Sequence, residues 1–155
     1  MMLLLKNLLF TLLVPGTIGA YVPLLLARDR PPASGLMFLL ALVLLLIGGA
    51  IYLWCVWDFA ASGRGTPAPI DPPTKLVDRG LYRYTRNPMY VGVITVLLGW
   101  AVLFRGTALL IYTFCVAIGF HLFVVLYEEP RLARQFGAEY HDYRARVGRW
   151  LPRFR

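Results

Sequence analysis

Two adjacent carboxylates, Glu128 and Glu129, follow an apolar run over residues 107–127 and precede Pro130. Where a helix ends, acids oppose its dipole, so the pair calls for a compensating cation or a ligand. A carboxylate there can accept bonds from hydroxyl or amino groups, orient nearby arginines, or take up a proton. The same run is interrupted only by His121. That histidine stands seven residues before Glu128, on the same face of a regular helix. Ionisable groups at membrane depth are costly and are read as functional by default; a neutral, hydrogen-bonded structural histidine is the alternative. A second constellation, Arg86-Asn87-Pro88-Met89-Tyr90, opens the preceding apolar run. Proline suits the first turn of a helix, whose free N–H groups and positive dipole end attract an anion. Arg86 and Tyr90 either belong to such a site or anchor the helix at a membrane surface. Cys55 and Cys115 sit inside apolar runs, where cysteine behaves as a small hydrophobe. Neither a disulfide framework nor metal-ligand spacing is expected.

The elements that must position these groups are apolar segments over residues 8–26, 36–57, 89–104 and 107–127. The first is interrupted by Pro15-Gly16 and Pro23; the second carries no charge. The third, at about 1.5 Å per residue, covers roughly 24 Å, less than the roughly 30 Å of a bilayer core. It is therefore expected to be half of a hairpin, with Arg105-Gly106 as the turn into the fourth. Ile18-Gly19-Ala20 lacks the small residue expected three places before a signal cleavage site, so the first segment reads as a retained, proline-kinked span. The chain is 59% hydrophobic and only 15% charged, with a mean hydropathy of +0.63. Soluble domains carry roughly 45–50% apolar and about 25% charged residues. The fold class expected is an all-α membrane protein, one domain over residues 1–155, with about four transmembrane helices, a cytoplasmic loop and a C-terminal amphipathic interfacial helix.

Net charge is +8, but the basic residues flank apolar segments. Orientation and attraction to lipid headgroups explain that better than nucleic acid. Four spans put Lys6, Arg64, Lys75, Arg79, Arg83, Arg86, Arg131, Arg134, Arg144, Arg146, Arg149, Arg153 and Arg155 on one side. Arg28, Arg30 and Arg105 fall on the other. By the positive-inside rule, both termini and the loop of residues 58–87 face the cytoplasm. Residues 62–73 of that loop are too rich in glycine and proline for a helix or central strand; residues 76–84 read as ordered. Beyond Pro130, Leu132, Phe136, Tyr140, Tyr143 and Val147 recur at helical steps. They form an apolar stripe that lies in the membrane interface or caps the bundle, bent at Gly137.

Thr74-Lys75-Leu76-Val77-Asp78-Arg79-Gly80-Leu81-Tyr82, followed by Arg86-Asn87-Pro88-Met89-Tyr90-Val91-Gly92, resembles the signature of the isoprenylcysteine carboxyl methyltransferase and phospholipid methyltransferase superfamily. The paired glutamates, Leu132, Phe136-Gly137, Glu139-Tyr140, Tyr143, Val147 and Leu151-Pro152 extend that resemblance, in order, over residues 66–152. It implies S-adenosylmethionine as cofactor, S-adenosylhomocysteine as product, and a lipophilic acceptor that reaches the site from the bilayer. By resemblance Thr74, Lys75, Leu76, Val77, Tyr82, Asn87, Pro88, Met89, Tyr90 and Glu128 line the cofactor pocket. Catalytic roles fall to Glu129, His121 and Arg86, with Glu129 or His121 as base where the acceptor must lose a proton. Methyl transfer requires alignment rather than a metal. One departure bears on the acceptor: isoprenylcysteine methyltransferases carry a basic residue four places before the cofactor glutamate, and here that place holds Val124. That departure weakens the case for a prenylcysteine-type carboxylate and leaves a phospholipid amine, a thiol or another small lipophilic acceptor. Two further readings are a sterol-type NADPH reductase, which normally has more spans and an Arg-Asp pair in place of the glutamates, and a non-catalytic membrane scaffold.

Overall fold

The computed structural model describes residues 13–59, 61 and 76–153. Lys6, Thr74, Lys75, the start of the first apolar segment and the glycine- and proline-rich residues 62–73 lie outside it. Among the described residues the structure is helical, with no strand; an isolated parallel bridge joins Thr85 and Gly148. A π-helical turn, Thr17–Tyr21, leads into the short α1, Val22–Leu26. Next come α2, Leu36–Asp58, then α3, Pro88–Phe104, and α4, Thr107–Phe123. A second π-helical turn, Val124–Glu128, carries α4 without a break into α5, Glu129–Phe136, and α6, Ala138–Arg146, follows.

Helices α2 and α3 pack antiparallel at very short range, and glycine makes this possible. A Cβ on Gly48 would stand 2.7 Å from the carbonyl oxygen of Gly92, and one on Gly92 would stand 3.0 Å from the carbonyl oxygen of Gly48. Seven residues on, and on the same face, Gly99 meets Leu45. In lipid, where helices gain nothing by hiding apolar surface from water, such close backbone contact is what holds them together. The pair creates the main core of Tyr52, Cys55, Val77, Tyr82, Met89, Val93 and Leu97.

The short third segment is half of a hairpin. Arg105 takes the left-handed conformation (φ 46°) that ends α3, and the Gly106 N–H donates to Ala101. The gap that Pro23 leaves in the backbone hydrogen bonding of the N-terminal helix is filled by side chains. Pro23 has no N–H to give the Gly19 carbonyl, and Trp100 Nε1 donates to that oxygen instead at 2.8 Å. Beside it, the Tyr112 hydroxyl donates to the Ile18 carbonyl at 3.0 Å.

Two helices, Leu36–Asp58 and Thr107–Phe136, are long and apolar enough to cross a membrane, each containing an 18-residue stretch of mean hydropathy 2.8 and 2.4 respectively. Their outward residues, such as Leu46, Leu53, Ile111 and Phe114, are each at least 60% exposed. That surface suits lipid, and the chain is membrane-associated. The stripe beyond Pro130 is spent on the protein: Tyr140, Tyr143 and Val147 are buried against Leu76, Leu132 and Phe136. Gly137 (φ 51°) supplies the expected bend.

Candidate functional site

The site is assembled where the segment leading into α3 meets the segment leaving α6. Gly80 (φ 57°) starts the 3-10 turn Gly80–Arg83 and lies against the buried Asp58 carboxylate, where a Cβ would collide. The turn drives Tyr82 into the core, 7% exposed, and the Tyr143 hydroxyl donates to the Tyr82 carbonyl at 2.7 Å. Burial pushes the Tyr143 hydroxyl up and keeps it a neutral donor. The next residues are stitched to the C-terminal segment. The Arg86 N–H donates to the Gly148 carbonyl, while Thr85 Oγ1 and Asn87 Nδ2 donate to the Arg149 carbonyl at 3.0 and 3.1 Å.

Arg86 and Arg149 close on Glu129. Arg86 donates to Oε1 at 2.8 Å, while Arg149 donates through Nε to Oε1 at 2.7 Å and through its terminal nitrogen to Oε2 at 2.9 Å. Arg86 also donates to the Tyr140 hydroxyl at 3.2 Å. Arginine's planar fork suits such two-point contacts. Burial acts to raise the Glu129 carboxyl, but the Arg149 bond and the charges of Arg86 and Arg149 prevail and hold it below the ordinary carboxylate range. The bond to Glu129 in turn pushes the Arg149 guanidinium up. A carboxylate in this state is a weak proton acceptor, and the geometry favours a positioning role for Glu129.

Its neighbour faces elsewhere. The Tyr90 hydroxyl donates to Glu128 Oε1 at 2.7 Å, and the Tyr90 ring packs on Phe120 at 4.6 Å. The expectation that both acids end a helix is corrected, since the helix runs on as far as Phe136. Glu129 stands in the first turn of α5, and the arginines rather than a dipole decide its state. The π turn is wider than an α turn and displaces Glu128 from the face it would share with His121 in a regular helix; such turns are frequent at functional sites. His121 instead accepts a bond from Trp150 Nε1 at its Nδ1, 3.2 Å away. That bond requires Nδ1 to be unprotonated.

Among the expected pocket residues, Val77, Tyr82 and Met89 share the main core. Leu76 turns instead to the C-terminal cluster. Asn87 and Pro88 are buried at the start of α3, and no side chain caps that N-terminus. Thr74 and Lys75 lie outside the described residues. Arg149, Tyr140, Thr85 and Trp150 join the site without having been singled out for it. Arg149 is one of seven basic residues beyond Pro130, and no local spacing separates it from the others.

An S-adenosylmethionine molecule would need an anion site for its methionine carboxylate and acceptors for its ribose or amino groups. The residues present fit. Among the described residues Arg86 Nε is a buried donor with no hydrogen-bond partner, two residues before the first residue of α3. Glu128 has lone-pair sites besides the one that accepts from Tyr90, since a carboxylate offers about four. Comparison with known proteins adds a family: the model described as phospholipid methyltransferase matches residues 36–139, from the start of α2 into α6. The match contains Arg86, Tyr90, Glu128 and Glu129 and stops short of Tyr140, Arg149 and Trp150. No curated protein and no solved structure gives a significant match.

Proposed function

Since the chain belongs to the phospholipid methyltransferase family, we propose that it transfers a methyl group from S-adenosylmethionine to a lipophilic acceptor held in the membrane. The observation that carries this reading is the pairing of Tyr90 with Glu128 at 2.7 Å beside the Arg86–Glu129–Arg149 clamp. When bound, the cofactor supplies a sulfonium methyl that an acceptor lone pair displaces, leaving S-adenosylhomocysteine. The chain's own residues bind and align. Arg86 Nε and the first N–H groups of α3 hold the carboxylate. Glu128, fixed by Tyr90, accepts from ribose hydroxyls or the amino group. Val77, Tyr82, Asn87, Pro88 and Met89 line or support the pocket. Glu129 acts through Arg86, whose guanidinium it orients. Val124, a buried valine, stands at the position where isoprenylcysteine methyltransferases carry a basic residue for the prenylcysteine carboxylate. A phospholipid amine is therefore the first acceptor to test.

The arrangement we propose in the membrane is four spans, with both termini and the site on the cytoplasmic side. Its support is the thirteen-to-three distribution of basic residues together with the hairpin at Arg105-Gly106.

Calorimetry on detergent-purified protein tests the cofactor: S-adenosylhomocysteine should bind and NADPH should not. Glu128→Ala and Tyr90→Ala should each weaken binding about tenfold, or about 1.4 kcal/mol, with helix content unchanged. Unaltered dissociation constants in both variants would sink the pocket assignment. Incubating labelled cofactor with native lipid extract then identifies the acceptor by its labelled product.

A further inference from the structure

One helical turn beyond Tyr90, an apolar groove of about 310 Å³ is lined by Ile94, Ala117, Ile118, His121 and Trp150. Ile94 follows Tyr90 by four residues on α3, and His121 follows Ala117 by four on α4. Each wall is therefore one helical face. The groove adjoins the candidate site through a single side chain. The Trp150 ring stands 6.5 Å from Tyr90, edge to face, and 6.1 Å from His121, to which its Nε1 donates. The Trp150 backbone is held at the site because the preceding Arg149 grips Glu129 and its carbonyl accepts from Thr85 and Asn87. The indole is thus a side chain on a fixed base, placed between the groove and the Tyr90–Glu128 pair. Beyond the groove, α4 turns Phe114 and Leu122 outward, 67% and 49% exposed.

We propose that this groove seats the hydrocarbon chain of the lipid acceptor, and that the Trp150–His121 pair is the stop that sets how far the acceptor's polar head reaches toward Tyr90 and Glu128. The inference rests on the methyl-transfer reading and deepens it by naming where the chain of the acceptor lies. Its walls bear no charge and their only polar side chains, His121 and Trp150, are bonded to each other. The carboxylate, ammonium and hydroxyls of the cofactor would find no partners there, and unpaired polar groups in an apolar site are costly. The volume lies at the lower end of ligand pockets, roughly 300–1,000 Å³, which suits one chain rather than a partner helix. Trp150 is an amphipathic ring whose polar edge is satisfied by His121. It can face hydrocarbon on one side and the polar site on the other.

The test uses full-length protein in phosphatidylcholine vesicles, titrated with mid-chain dibrominated stearate as the quencher. The emission of Trp150 is taken as the difference between the wild type and Trp150→Phe. A seated chain gives quenching that saturates at low quencher fraction. Ala117→Phe fills the groove from α4 and should abolish that saturable part. Ile94→Phe fills it from α3 and serves where the first variant fails to fold. Trp150 quenching that rises only in proportion to the quencher in the wild type would overturn the proposal. So would a saturable part that survives the groove-filling substitutions. S-adenosylhomocysteine binding is measured in parallel. Non-saturable quenching of the wild type that still binds S-adenosylhomocysteine condemns the groove alone, whereas saturable wild-type quenching without cofactor binding condemns the methyl-transfer reading and leaves the groove standing.

Discussion

Glu129 stands between Arg86 and Arg149 with 8% of its side chain exposed, so its proton affinity is a property of the fold. Its carboxyl is held below the ordinary value of 4.5. A group depressed on folding contributes stability that is fully present above its unfolded pKa and is lost as pH falls through its folded pKa. Thermal stability in detergent should therefore hold down to roughly pH 5 and fall below it. Glu129→Gln should lower stability at neutral pH by about 3 kcal/mol, the scale for breaking a buried pair. It should also remove most of the acid dependence. If Glu129→Gln melts like the wild type at pH 7, the clamp is only a solvated surface pair. The pair of glutamates was legible in the sequence because adjacent acids beside an apolar run demand compensation. What compensates Glu129 was not: Arg149 lies twenty residues away, and only the turn-back of α6 brings it home.

At the scale of elements, the α2–α3 contact and the side-chain bonds beside Pro23 carry the structure. Gly92→Leu would force a side chain onto the backbone of Gly48 and Tyr52, where even a Cβ stands at 3.0 Å. Overpacking of this kind costs about 1–3 kcal/mol, and the expected result is a lower melting temperature with less S-adenosylhomocysteine-competent protein after extraction. Trp100→Phe keeps the ring but strands the Gly19 carbonyl that Pro23 leaves without a donor. Hydrogen bonds between membrane helices average about 0.6 kcal/mol, so a small drop in melting temperature is expected. A value indistinguishable from the wild type would show that Trp100 is mere filling. The hairpin was readable beforehand because a segment of about 24 Å cannot reach across the roughly 30 Å of a bilayer core by itself. The π turn was not, since the run over residues 107–127 is apolar all round and no periodicity marks where the helix widens.

For the molecule as a whole, orientation is the measurable consequence of its charge. In a Cys115→Ser background, a cysteine at Arg105 should react with a membrane-impermeant maleimide in intact cells. One at Arg153 should react only after the membrane is opened. Labelling of Arg153→Cys from outside would reverse the assignment and move the site with it. Composition points to membrane residence, and charge asymmetry sets the orientation proposed above, because both are sums over the chain, insensitive to how its helices pack. The ordered pieces around Arg86–Tyr90 and Glu128–Glu129 likewise pointed to the phospholipid methyltransferase family before any fold was known, because each is local. The partnering of the two acids was a matter for tertiary structure alone. Tyr90 goes to Glu128, two arginines go to Glu129, and Trp150 goes to His121. Each bond joins residues at least twenty positions apart, at distances near 3 Å that no spacing along a chain can specify. The two carboxylates that looked alike in the sequence therefore emerge as one clamped between two arginines and one bonded to a tyrosine.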